Sequence, residues 1–545
     1  MYDGDSMECH CIRLTELPQT TRLFATFLDD FSRVAEFYSH PPTMEGIVHA
    51  AEEVKSDPRY EPGARTVIVE MLHDQNRSFG TDSSTERNLE RLAAGAVAIV
   101  TGQQVGLFTG PSYTIYKAVS ALRVAQQLTE RGIDAVPIFW LATEDHDLAE
   151  INHCWWPGPD GPQRIEVAAA GAAGRSVGRV PLGEEVRAAV RTASALLDGP
   201  AAEEISRALD ESYRPEETFG SAFGRLMARL FAGQGVILVD PLDARLHRLA
   251  APLYRRAVEE SESLVRDLLA RSKALDRNGY HAQVKVAERS TLLFWNDDGQ
   301  RLPLRRRGEK FVAGSAEFSS ADLLRALEGA PEAFSANVLL RPVVQDALLP
   351  TAAYVAGPAE IAYFAQAEAV YRRLLGRMPA VLPRAGFTLV EPHVARLLKR
   401  YGLEFRDLLG GRQHLRAKME REFLSRELAR QFVAGEKTIR KLLGRLRLPL
   451  EKLDKTLLGA LETSQRKMLY HLDRLRGKAA RAQNFRTGVL DTHERQLTGA
   501  LYPHHSLQER TLCFLPLLAR HGPGLLAELA KRAGIGATQH QVLFL

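Results

Sequence analysis

Cysteine is scarce in this chain: four residues in 545, at positions 9, 11, 154 and 513. So few exclude a disulfide framework. Cys9-His10-Cys11 has no second ligand pair to complete a metal site, and no metal site is assigned. Cys154 and Cys513 stand in apolar stretches and read as core thiols. Long apolar runs are missing too: no stretch of 18 uncharged apolar residues occurs, which excludes a transmembrane helix. The segment Met1 to Leu14 is acidic and lacks a signal peptide's apolar core, so the cytoplasm is the expected compartment and no membrane partner is expected. Aromatic residues make up 7% of the chain, and nowhere do they interleave with basic residues as base stacking on RNA requires. Neither GxGxxG nor a Walker P-loop is present, so generic nucleotide motifs decide nothing. No internal repeat or low-complexity tract stands out.

What is there is ordinary in bulk and uneven in distribution. Hydrophobic residues are 45% and charged residues 25%, and a chain of this length should divide into two or three domains. The net charge of +4 hides an asymmetry. Arg412 to Arg486 carries 20 Lys and Arg against 8 Asp and Glu, an excess of +12, which leaves −8 on the remainder. A basic segment on an acidic body can bind nucleic acid, an anionic ligand or the body itself.

The chain is organised around residues 95–153. Ala96–Val100 reads as a buried strand ended by Thr101-Gly102, Tyr113–Glu130 has apolar residues at helical spacing, and Ala135–Trp140 is a second strand. Strand–helix–strand of this length implies a parallel pair with a right-handed crossover, with ligands at the carboxyl ends of the strands. Two loops fall there. In the first, Gly102, Gly106 and Gly110 permit close backbone approach, and Pro111 presets a helix start that offers N–H groups to a phosphate or carboxylate. Gln103, Gln104, Thr109, Ser112, Thr114 and Lys117 add polar contacts. The second, Thr143-Glu144-Asp145-His146-Asp147, packs three carboxylates and an imidazole into five residues, enough to hold an amine, act as a general base or ligate a metal. An N-capped helix with Thr143 as cap fits the same residues.

Asn337–Gln366 repeats the pattern. Arg341, Gln345 and Asp346 share one helical face, Ala352–Val355 reads as a strand, and Gly357-Pro358 opens a helix carrying Glu360, Tyr363 and Gln366. Two such openings can frame one cleft; equally, Arg341 can pair with Asp346 and Tyr363 can be core. Pro379–Thr388 supplies a last strand and loop with one charge, Arg384.

Thr101–Ala118, Pro137–His153, Asn337–Gln366 and Leu501–Leu518 resemble, in order, the blocks of the bacillithiol biosynthesis cysteine-adding enzyme family. The resemblance implies an α/β fold with a Rossmann-like core similar to class I aminoacyl-tRNA synthetase catalytic domains, and a C-terminal coiled-coil hairpin that forms a homodimer. It implies a ligase joining L-cysteine to glucosaminyl-malate by an amide bond, the last step of making bacillithiol. ATP or another nucleotide is the implied activator; the metal requirement is open. In those terms the Gly110–Thr114 helix start, with Tyr113 beside it, and Lys117 stabilise anionic charge. Glu144, Asp145 or Asp147 orients and deprotonates the sugar amine, His146 is a further catalytic candidate, and Arg341 holds the malyl carboxylate. The mobile lysine signature of synthetases is absent near Arg384, which puts phosphate handling by that loop in doubt.

The domain reading is a core over 1–395 with insertions at about 157–232 and 276–335, a helical hairpin over 396–490, and a tail over 491–545 that returns to the body. Within the second insertion, Gln283–Val286 and Thr291–Trp295 read as short strands around an Asp297-Asp298-Gly299 turn. The hairpin is expected to break at Leu448-Pro449, with Leu424 to Leu446 marking one arm and Leu450 to Leu475 the other. Two rival functions remain: a synthetase-like RNA-binding protein with a basic arm, and a scaffold with an inactive core. The missing aromatic–basic pattern argues against the first, and the polar density of the ligand-facing loops against the second.

Overall fold

The computed structural model describes residues 7–169, 172, 174–297, 299–424 and 426–545. At its centre lies an all-parallel sheet of β1 (Val97–Gln103), β2 (Ala135–Leu141), β3 (Ile237–Val239), β4 (Thr351–Ala356) and β5 (Ala380–Pro383). Their spatial order is β5-β4-β1-β2-β3. Every residue of β2 and β4 is buried, as a parallel sheet covered on both faces requires. Alternation along β1 sends Ala98 and Val100 into one apolar layer and Val97 and Ile99 into the other. Helix α1 (Tyr113–Glu130) links β1 to β2; α2 (Arg341–Leu348) leads into β4; α3 (Pro358–Leu374) links β4 to β5. The strand order reverses between β1 and β4. The loops leaving those two strands diverge there and open a crevice.

Two insertions interrupt this core. Between β2 and β3 come the ribbon His153–Trp156/Gln163–Glu166 and three helices, Val186–Ala195, Ala202–Ser212 and Phe219–Leu230. Between β3 and α2 come three helices, Ala244–Glu259, Ser261–Arg277 and Ser320–Gly329, and an antiparallel sheet ordered Ala316–Ser319, Lys310–Ala313, Gln300–Arg307, Ser290–Asp297, Phe334–Ala336. Asp298 of the expected turn lies outside the described residues. Gln283–Val286 is not a strand: Gln366 takes the place of a ladder partner, its Oε1 accepting from Val284 N at 2.8 Å and its Nε2 donating to Val284 O at 2.9 Å. Pro379–Thr388 holds two strands, not one, because Gly386–Val390 leaves β5 for a separate sheet with Cys9–Arg13 and Gln539–Phe544.

The C-terminal region is led by α4 (Arg426–Leu453) and α5 (Leu457–Thr487). Their break falls at residues 454–456, where Asp454 Oδ1 accepts from Thr456 N at 2.8 Å, and α4 runs through Pro449. A proline there costs the bond to the Arg445 carbonyl, on an exposed residue that water can serve. Apolar side chains stay outside the hairpin: Leu442 and Leu475 are each 57% exposed. No described helix is long and apolar enough to cross a membrane.

Candidate active site

A cavity of about 680 Å³ opens at the switch point, above the carboxyl ends of β1, β2 and β4. Its floor is set by Lys117. This side chain is 2% exposed and comes from the first turns of α1. Its ammonium donates to Gly102 O at 2.5 Å and Gln103 Oε1 at 3.1 Å, and pairs with Glu360 Oε2 at 2.5 Å. All three protons are committed. Burial lowers the ammonium's pKa, while Glu360 works in the opposite sense.

At both expected anion-binding helix starts a protein group already takes up one backbone N–H. At α1, Ser112 N and Oγ both donate to the Leu512 carbonyl of the C-terminal tail, at 2.8 and 2.5 Å. At α3, Glu360 Oε2 accepts from Gly357 N at 2.7 Å. The loop glycines serve packing: a Cβ on Gly102 would lie 2.8 Å from Trp140 O, and one on Gly106 would lie 3.1 Å from Gly110 Cα. Phe108 and Thr109 hold left-handed backbone, at φ 52° and 76°. Tyr213 OH fixes Phe108 N at 2.9 Å, and Cys513 Sγ donates to Phe108 O at 3.2 Å.

The acidic loop after β2 is not a uniform cluster. Thr143 is buried, and its hydroxyl donates to Asp240 Oδ1 at 2.5 Å. Asp145 accepts from its neighbour His146 N at 2.7 Å and from Gln104 Nε2 at 2.7 Å. Asp147 is exposed and caps the short helix Leu148–Ile151 through Glu150 N. Glu144 differs from both. It is 8% exposed and lines the cavity, and its Oε1 has no hydrogen-bond partner. His247 Nε2 lies 3.7 Å away, but burial holds that imidazole down at about 4, so it is neutral at physiological pH. Burial pushes the Glu144 carboxyl up to about 7, against the pull of Arg301 and Arg341. A carboxyl near neutrality that faces a cleft has the protonation balance of a general base.

The opposite wall carries guanidinium groups. Arg341 Nη1 donates to Gln345 Oε1 at 3.0 Å, and its Nη2 lies 3.3 Å from Tyr363 OH and 3.5 Å from Tyr354 OH. Arg384 is forked onto Glu509 of the tail, at 3.0 and 2.7 Å, and lies over the Tyr113 ring. Arg301 enters from the second insertion, and sequence reasoning missed it. It stacks at 4.0 Å on the Phe294 ring, donates to Ser335 Oγ at 3.0 Å and Ala336 O at 2.5 Å, and sets Nη1 3.4 Å from His146 Nδ1. The one available signal was its place beyond the Asp297–Gly299 turn, which pairs it with Asn296.

The cavity thus brings together Gly102, Gln103, Gln104, Tyr113, Lys117, Glu144, Asp145, His146, Arg341, Gly357, Glu360, Tyr363 and Arg384. Gly110, Pro111 and Thr114 line a neighbouring hollow of about 270 Å³. Gln345, Asp346 and Gln366 are fully buried; Asp346 is bound by Tyr371 OH and by Gln345 Nε2. Among the described residues, one group has metal-ligand spacing, His40, His49 and Glu53, and none of the three lines the cavity.

A doubly covered parallel sheet with a ligand cleft at its order reversal, and a long helical hairpin appended, defines a Rossmann-like α/β protein. Its cleft is equipped to bind anions and to move a proton. Residues 7–385 match the family described as "Bacillithiol biosynthesis BshC, N-terminal Rossmann-like domain", and residues 387–545 match "Bacillithiol biosynthesis BshC, C-terminal coiled-coil domain". The chain belongs to the BshC family. Its relative from Koribacter versatilis is 43% identical over 98% of this chain and 99% of its own, and one from Solibacter usitatus is 40% identical over 98% and 100%. One from Salinibacter ruber is 34% identical over 96% of each. All three are named "Putative cysteine ligase BshC". Among solved structures, Mycobacterium tuberculosis methionyl-tRNA synthetase in complex with methionyl-adenylate aligns over 79% of this chain and 93% of its own, at 11% identity and a TM-score of 0.22. That superposition is too loose to bear on the chemistry.

Proposed function

We propose that this protein is the ligase that joins L-cysteine to glucosaminyl-malate through an amide bond, completing bacillithiol. Glu144 is the observation that carries the reading. Amide formation needs the sugar amine as a free base, and Glu144 lines the cleft with Oε1 free of hydrogen bonds and its pKa near 7. The cysteine carboxylate needs activation in water, and a nucleoside triphosphate supplies it. Attack by the amine forms the C–N bond, the activating group leaves with its oxygen, and the amine proton passes to Glu144. Arg341 receives a malyl carboxylate, because a guanidinium matches it bidentately. Lys117 orders the floor, and its protons are already taken. With an N–H at each helix start already taken, phosphate charge falls mainly to the cleft guanidiniums, including Arg510. The apolar side chains left outside α4 and α5 support a homodimer through the hairpin.

The test is direct. Purified protein is incubated with L-cysteine, glucosaminyl-malate and each nucleoside triphosphate in turn, and the thiol product is read by mass spectrometry. One triphosphate should support product formation, and Glu144→Gln should lower the rate at least about a hundredfold. No product with any triphosphate, or full activity in Glu144→Gln, would end this reading.

A further inference from the structure

The cations around the cleft differ in how their charge is answered. Lys117 has Glu360, and Arg384 has Glu509 in a two-pronged pair. Arg301 and Arg341 are partly buried in the wall, and among the described residues neither has a carboxylate within ion-pair distance. Each is instead anchored by neutral groups. Ser335, the Ala336 carbonyl and the Phe294 face hold Arg301, while Gln345 and two tyrosine hydroxyls hold Arg341. Neutral anchors fix each guanidinium in place without a contacting carboxylate, while Glu144 and Asp145 act on Arg301, and Glu360 on Arg341, only through space. A charge withdrawn from water without a partner is costly, so two of them on one cavity mark the place of an anionic ligand.

Their position relative to Glu144 identifies that ligand's shape. Arg301 and Arg341 line the same cavity as Glu144 and Tyr363. In a glucosaminyl compound the amine stands on the carbon beside the one that carries the aglycone. A base for that amine must therefore lie next to whatever binds the aglycone. We infer that Arg301 and Arg341 form a two-guanidinium clamp for the two carboxylates of the aglycone, so that the site selects a dicarboxylate over a monocarboxylate. This rests on the reaction proposed above for the choice of acceptor, and adds Arg301 as a specificity-determining residue.

Binding at equilibrium tests the clamp without turnover. L-malate and L-lactate share the 2-hydroxy acid and differ by one carboxylate. Calorimetric titration of the full chain should show malate binding at least about tenfold more tightly than lactate. Arg301→Gln and Arg341→Gln should each bring malate to the level of lactate, and Arg301→Lys should restore part of the preference, with near-native melting curves as the folding control. In the coupled reaction, Arg301→Gln should raise KM for glucosaminyl-malate at least about tenfold and leave KM for cysteine within about twofold. Equal binding of the two acids by the wild type, or unchanged malate binding in a folded Arg301→Gln or Arg301→Lys protein, would overturn the clamp. Arginine-dependent malate binding without amide synthesis would keep the clamp and remove the proposed reaction; amide synthesis with an unchanged KM in Arg301→Gln would do the reverse.

Discussion

Lys117 and Glu360 meet across the switch point of the sheet, Nζ to Oε2 at 2.5 Å, and so tie the helix that follows β1 to the helix that follows β4. The same carboxylate oxygen closes the N-terminus of α3 through Gly357 N, and the same ammonium holds the Gly102 carbonyl at the end of β1. One ion pair thereby sets the separation of the two loops that form the cleft floor.

Breaking it from one side should be costly. Glu360→Gln leaves a buried ammonium without its counter-charge, and chemical denaturation should show a loss of roughly 3–5 kcal/mol. Lys117→Met combined with Glu360→Gln should recover a large part of that loss. Additive single effects would show that the two residues act independently.

Glu144 makes stability depend on pH in a defined direction. Its folded pKa, about 7, lies above the ordinary 4.5, so the folded state holds this proton more tightly than the unfolded chain does. Stability from this group is greatest below 4.5, declines as pH rises through 7, and levels off above it. Glu144→Gln should therefore gain melting temperature relative to wild type at pH 8.5 and little at pH 5. The full difference is about 3 kcal/mol at most. A constant offset across that range would show that Glu144 titrates normally.

The protein's own cysteines should be dispensable for turnover. Cys154 and Cys513 are buried, and burial with the neighbouring Cys11 pushes Cys9 up to about 11, so no strongly activated nucleophile is evident among these three. Single Ser replacements at positions 9, 11, 154 and 513 should leave turnover within about threefold in every variant that folds. Loss of turnover in one such variant, with a mass adduct of cysteine on the wild type, would establish a thioester route.

The hairpin should hold two chains together. Leu442→Asp with Leu475→Asp places charges on side chains now 57% exposed, and light scattering should show the mass of a dimer fall to that of a monomer. A wild-type chain that is already monomeric at micromolar concentration would remove the dimer.

The sequence carried the sheet and its crossing helix well, since periodicity acts locally: Tyr113–Glu130 is a helix over the range its spacing predicts. It also carried the family. It did not carry the state of the first helix start, because the group that meets it comes from elsewhere in the fold, whereas the Glu360 that meets Gly357 N lies in the first turn of α3 itself. Ser112 bonds the carbonyl of Leu512, 400 residues away. Gln345 and Asp346 share a helical face as read, but only packing shows that this face meets Tyr371 and the core. Arg301 was invisible for a related reason. A strand's period of two says which residues share a side, and not which side meets a cleft built by β2 and α2. Pro449 inside α4 reflects a helix close enough to its end to lose one bond at an exposed position.

The closure of the first loop by the Leu512 carbonyl, and of Arg384 by Glu509, has a bearing on synthesis of the chain. On the ribosome, β1 and its loop emerge some 400 residues before the groups that complete them. A chain that stops short of Glu509 therefore lacks both contacts. The docking of the tail is thus the event that completes the walls of the cleft.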